Sequence, residues 1–181
     1  MLKYKSGNTK SVKKDKSPQG FIDEDIKHLL DLINSADGYE TTSSCSGRIT
    51  LMNRQDKKES EWLFKSHSAV KADELWNALQ NTSGRVWFMQ EPVIIHVKCF
   101  SLESAEKLLN IAREIGMKHS GIVALGKEPI LEIRGSERME AILDKSLASR
   151  EYIEILIEEA NKKLLKAKEK INKLEKAVSC L

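Results

Sequence analysis

Near the C-terminus, apolar residues fall at Ile153, Ile157, Ala160, Leu164, Ala167, Ile171, Leu174 and Val178. The steps alternate between four and three, which is a heptad seam. This spacing predicts one helix of about 28 residues between Ser149 and Ser179, with a length of roughly 42 Å. Acids crowd its first turns and lysines its last, as the helix dipole favours. A 181-residue chain must find a partner for that seam. Half of the helix can lie on a sheet while the rest projects, or the seam can pair with a second helix. Packing within the chain and a homodimer through the C-terminal helix both satisfy the pattern.

The remainder reads as alternating strands and helices. Ile22, Ile26, Leu29, Leu30 and Ile33 mark the buried face of a helix that Asp23 can cap and Gly38 stops. β-Branched residues flank Cys45-Ser46-Gly47, which predicts strands over 39–44 and 48–52 around a tight connection. Trp62 and Phe64 alternate in a strand ending at Ser66-His67. Ser68 is placed to cap a helix with Ala72, Leu75, Trp76 and Leu79 inside. Strands follow at 85–90 and 93–99. A helix capped by Ser101 then buries Leu102, Ala105, Leu108, Leu109, Ala112 and Ile115, and Gly116 ends it. Further strands are expected at 121–125 and 130–134. Strand-helix-strand thus occurs twice, at about 61–90 and 93–126, and suggests a duplication. The expected class is α+β: a mixed β-sheet with packed helices and a long C-terminal helix. Residues 1–16 are expected to be a basic flexible arm, and 17–181 one domain including the helix at about 150–178.

Several function classes fall away. No apolar run is long enough for a membrane span, and the N-terminus has no apolar signal region. Cys45, Cys99 and Cys180 are odd in number and far apart, so neither a disulfide framework nor a cysteine zinc site is expected. A reduced, cytoplasmic protein fits. His28, His67, His96 and His119 are not at metal-ligand spacing, and no metal is expected. There is no P-loop, and no glycine fingerprint follows a strand. The net charge of +3 hides two basic ends, with six lysines in residues 1–20 and seven in 161–181. Such ends bind phosphate backbones by counterion release, and they also simply solubilise.

The densest chemistry lies in Thr41-Thr42-Ser43-Ser44-Cys45-Ser46-Gly47-Arg48. Such a loop can turn N–H groups and hydroxyls on an anion, with Arg48 as a clamp for carboxylate or phosphate. An ordinary Ser/Gly turn has the same composition. Cys45 as a nucleophile lacks the arginine six residues on that a cysteine phosphatase needs, since Leu51 stands there. Trp62, Trp87 and Phe88 can stack on a base or serve as core. His96 is a candidate base or a hydrogen-bonded strand residue.

These segments resemble a known family. Ser17-Pro18-Gln19-Gly20 with Asp23, the Thr41–Arg48 run, Trp62-Leu63-Phe64, Ser66-His67, Glu91-Pro92-Val93-Ile94-Ile95-His96-Val97-Lys98-Cys99, Ser120-Gly121-Ile122 and Asn161 are similar to blocks of the tRNA wybutosine-synthesising protein 3 family. The likeness spans about 17–175 and looks like the stand-alone archaeal-type members. It implies methyl transfer from S-adenosylmethionine to N4 of the tricyclic wyosine-type base at position 37 of phenylalanine tRNA, on a fold that is not the Rossmann type. The carried-over roles are Ser43, Ser44, Cys45, Ser46, Gly47 and Arg48 for the cofactor, with Arg48 on its carboxylate or on a tRNA phosphate; His96, then His67, as base, with Glu91 favouring the sulfonium or orienting a histidine; and Trp87, Lys98, Ser17 and Asp23 for the tRNA, bound at its anticodon loop. Two other classes are compatible with the residues: a non-catalytic RNA-binding module, and a scaffold dimerised through its coiled coil.

Overall fold

The computed structural model of the chain describes residues 22–53, 61–179 and 181. The basic arm and Ser17 lie outside the described residues. The element order is α1 (Glu24–Ser35), β1 (Tyr39–Cys45), β2 (Arg48–Asn53), β3 (Glu61–Ser66), α2 (Ala72–Gln80), β4 (Arg85–Glu91), β5 (Ile94–Cys99), α3 (Leu102–Glu114), β6 (Gly121–Ala124), β7 (Ile130–Arg134), β8 (Met139–Asp144) and α4 (Arg150–Val178).

The class is α+β as expected. The mixed sheet resolves into two four-stranded sheets, ordered β1-β5-β7-β6 and β3-β2-β4-β8, with every described pairing antiparallel. The two strands around Gly47 both form, but they do not pair: β1 lies in the first sheet and β2 in the second. Gly47 has φ +91°, and a Cβ there would stand 3.1 Å from the Glu91 carbonyl oxygen. Glycine is therefore required where this crossing passes the Glu91-Pro92-Val93 crossing from β4 to β5. A third crossing, β7 to β8, lies against the second: the Gly135 N–H donates to the Val93 carbonyl at 3.0 Å. The three crossings thus lie side by side and form a crease between the sheets.

The duplication is partial. β3-α2-β4 and β5-α3-β6 are both split units, with β2 or β7 antiparallel between their parallel strands. The fourth strand then joins at opposite sides, β8 beside β4 and β1 beside β5.

The four described helices cover one face of the sheets. One core packs Ile95, Val97, Leu131 and Ile133 against α1, α3 and the C-terminal half of α4 through Ile171, Leu174 and Val178. The other packs Ile49, Leu51, Val86, Phe88 and Leu143 against α2 and the N-terminal half of α4 through Ile153, Ile157, Ala160 and Leu164. The heptad seam is therefore used within the chain: its eight residues are at most 4% exposed. It does not offer itself to a second copy. Each large aliphatic side chain buried there contributes about 1.5–3 kcal/mol.

Polar locks fix α4 in place. The Asn161 amide accepts from the Val70 N–H at 3.0 Å and donates to the Val70 carbonyl at 2.8 Å. Lys170 pairs with buried Glu137 at 2.6 Å and donates to the Gly116 carbonyl at 3.0 Å. Lys168 donates to Ser46 Oγ at 2.8 Å, so α4 is tied to the first and third crossings.

Four local expectations need correction. Ser68 does not cap α2; the helix begins after Lys71, whose N–H is accepted by Glu74 at 2.8 Å. Leu102 is 60% exposed, because it sits in the first turn before α3 reaches the sheet. Asp23 occupies the N-cap position of α1 without capping it, and its carboxylate points elsewhere. Strand β8 lies outside the expected strands, because the exposed Ile142 beside buried Leu143 blurs the in-out alternation.

Candidate functional site: a crease cluster and a cross-strand row

At the crease, the Asp23 carboxylate accepts the Ser46 N–H at 2.9 Å and faces His67 Nδ1 at 3.0 Å. His67 Nδ1 also lies 3.1 Å from the Gly47 carbonyl oxygen. Burial raises the Asp23 pKa, but the His67 contact and the Ser46 N–H outweigh it and hold the carboxyl below its usual range. The same contact with Asp23, helped by Cys45, raises His67 to about 9. His67 is thus an imidazolium at neutral pH and a poor proton acceptor there. Asp23, Cys45 and His67 offer ligand atoms within 4.8 Å of one another, which sequence spacing concealed because they come from three separate segments. Asp23 and His67 are already turned on protein partners, so the trio reads as a closed polar knot rather than an open coordination sphere.

Arg48 and Glu91 face each other across β2 and β4, and the Arg48 Nε donates to the Glu91 carboxylate. The Arg48 guanidinium lies 4.5 Å over the Trp62 ring. Arg48 is therefore not the open clamp that the sequence suggests. Ser46 is fully buried and bonded to Lys168, so its hydroxyl serves the fold.

On the helix-free face of the first sheet a polar row crosses three strands. The register aligns Ser43 of β1 with His96 of β5, and His96 with Glu132 of β7. Ser43 Oγ lies 2.9 Å from His96 Nδ1, and His96 Nε2 lies 3.1 Å from Glu132 Oε2. Arg134 stands 3.6 Å from the other Glu132 oxygen. A β-bulge between Thr41 and Ser43 sets this aim. Lys98, two residues along, pairs with Glu128 at 2.6 Å and Glu40 at 3.9 Å. Its charge is compensated by protein carboxylates.

The same face of the second sheet is aromatic. Met52 pairs with Trp62 on one side and Trp87 on the other, and Trp87 pairs with Ile142. Trp62 and Trp87 are both half-buried.

The sequence thus pointed to residues that fall into two neighbouring groups. Asp23, Cys45, Ser46, Gly47, Arg48, His67 and Glu91 gather at the crease, while Ser43 and His96 share the row. Ser44 pairs with Ile95 one position along from that row. Glu132 and Arg134 were missed, although charged residues alternate there with Leu131 and Ile133. Of the seven C-terminal lysines, Lys162, Lys163, Lys168 and Lys170 are in ion pairs within the chain, which weakens their case as a phosphate-binding group. Among the described residues no helix is long and apolar enough to cross a membrane.

A family model described as methyltransferase TYW3 matches residues 3–180. A Pyrococcus furiosus relative named tRNA(Phe) 7-((3-amino-3-carboxypropyl)-4-demethylwyosine(37)-N(4))-methyltransferase 1 is 41% identical over 171 residues, covering 90% of this chain and 87% of its own. A Xenopus laevis relative named tRNA wybutosine-synthesizing protein 3 homolog is 39% identical over 180 residues, covering 93% of this chain and 70% of its own. A solved structure of a Pyrococcus horikoshii protein has a TM-score of 0.82 at 40% identity, covering 88% of this chain and 87% of that one.

Proposed function

This chain belongs to the methyltransferase TYW3 family, and we propose that it methylates N4 of a demethylated wyosine-type base at position 37 of phenylalanine tRNA. It would act in the cytoplasm, on the anticodon loop, with S-adenosylmethionine as donor. The observation that carries the reading is the 41% identity, across 90% of the chain, with a relative named for that reaction.

The residues suit the cofactor in kind. Trp62 offers an aromatic face to a purine, Glu91 and Glu132 offer carboxylates to a sulfonium, and Arg48 and Arg134 offer guanidinium groups to a carboxylate. S-adenosylmethionine supplies, when bound, a methyl group that is electrophilic because its carbon sits on a sulfonium. The chain's own work is to place the acceptor nitrogen, exclude water and hold the proton that nitrogen gives up. His96 is the better base of the two histidines, since His67 already carries its proton at neutral pH. Trp87 would stack on the enlarged base, as single-stranded RNA recognition commonly requires. Arg48, held by Glu91 against Trp62, would present its remaining N–H groups to an anion on the cofactor or the tRNA.

The test is methyl transfer in a single turnover, using phenylalanine tRNA that carries the unmethylated tricyclic base. One methyl per tRNA is expected, on the base at position 37. Folded protein that transfers none from S-adenosylmethionine contradicts the reading. Calorimetry of S-adenosylmethionine on Arg48→Ala places the anion: weakened affinity assigns Arg48 to the cofactor, and unchanged affinity assigns it to the tRNA.

A further inference from the structure

The row on the first sheet has a direction, and that direction resolves what the His96 ring does. A neutral imidazole has one N–H and one lone pair. Glu132 faces Nε2 at 3.1 Å, and an ionised carboxylate can only accept. The proton therefore belongs on Nε2, which leaves Nδ1 as acceptor for the Ser43 hydroxyl at 2.9 Å. Ser43 Oγ, donating its only proton inward, keeps its lone pairs for a donor from outside. Arg134 sits by the second carboxylate oxygen, and the bulge before Ser43 aims the hydroxyl at the ring.

We propose that Ser43, His96 and Glu132 form a one-way proton relay, in which Ser43 Oγ meets the acceptor nitrogen and Glu132 is a positioning residue that fixes the His96 tautomer. The inference rests on the methyltransferase reading for its substrate. In the step, the N4–H bond breaks and its electron pair stays on nitrogen to form the N–CH₃ bond, while the sulfonium is left as a neutral thioether. The N4 proton passes to Ser43 Oγ as the hydroxyl's own proton passes to His96 Nδ1. The resulting imidazolium is balanced by the Glu132 carboxylate until it releases a proton to water.

Nitrogen-15 NMR of the histidine rings in the free protein tests this, alongside single-turnover rates. Wild type should show His96 as the Nε2–H tautomer. Glu132→Gln removes the acceptor-only partner; it should yield a mixture of tautomers and slow transfer on the order of 10- to 100-fold, with tRNA affinity kept. Glu132→Asp should restore part of both. Ser43→Ala should keep the tautomer and lose the rate. An Nδ1–H tautomer in wild type, or Glu132→Gln with unchanged tautomer and rate, overturns the relay while leaving an active enzyme in place. A wild-type protein with the expected tautomer and no methyl transfer instead contradicts the methyltransferase reading, and with it the relay's role.

Discussion

The two sheets share a plan and differ in one face. Each has four antiparallel strands, a split strand-helix-strand unit and half of α4 on its inner side. On the helix-free side, the first sheet carries the hydrogen-bonded row Ser43, His96 and Glu132, whereas the second carries Trp62, Met52 and Trp87. A shared core face with divergent outer faces separates two tasks that would interfere at a single spot. Moving a proton needs fixed hydrogen bonds, whereas holding a planar base needs apolar contact area.

If the division holds, the largest effect should come from the polar row. His96→Asn is expected to lower the single-turnover rate by about 10²- to 10⁴-fold, with tRNA affinity within about twofold of wild type. Rapid-quench kinetics read this directly.

The shared helix gives the next effect. Leu164→Ala and Leu174→Ala empty one core each and should each cost about 2–5 kcal/mol. Because α4 joins both cores, both variants should melt in one transition by calorimetry. Two separated transitions would show that the halves are independent.

A smaller effect is expected on the aromatic side. Trp87→Ala should weaken tRNA binding by about 1–3 kcal/mol, the range for loss of one base-stacking ring, and leave S-adenosylmethionine binding less affected. Filter binding at fixed salt measures it.

A further effect concerns the crease. The His67 pKa is raised from 6.5 to about 9 in the folded chain, so its contact with Asp23 stabilises fully below pH 6.5 and is lost as the pH rises through 9. Wild-type Tm should therefore decline over that window, and His67→Gln should remove that part of the decline. An unchanged pH profile in the variant would place the effect elsewhere.

Much of this was legible because helical periodicity is local. The α4 seam, the Ile26–Ile33 face and the Ser101 cap each follow from residues a few positions apart. Sheet membership was not legible: Gly47 looks like a hairpin glycine, yet β1 pairs with β5 and β2 with β3 and β4, pairings between residues far apart in sequence. For the site, the Thr41–Arg48 run marked the right strand, but its side chains divide between two tasks. Ser46 bonds α4, Arg48 meets Glu91, and Ser43 meets His96. Glu132 joins His96 through strand register across 36 residues, which no local pattern encodes.

The most direct test of the divided faces is the single-turnover rate against tRNA concentration for His96→Asn and Trp87→Ala side by side. The expected result is a crossed pattern: His96→Asn saturates at the wild-type tRNA concentration with a far lower plateau, and Trp87→Ala needs more tRNA to approach a near-wild-type plateau. If both variants lose plateau and affinity alike, the two faces are one undivided site and the account is contradicted.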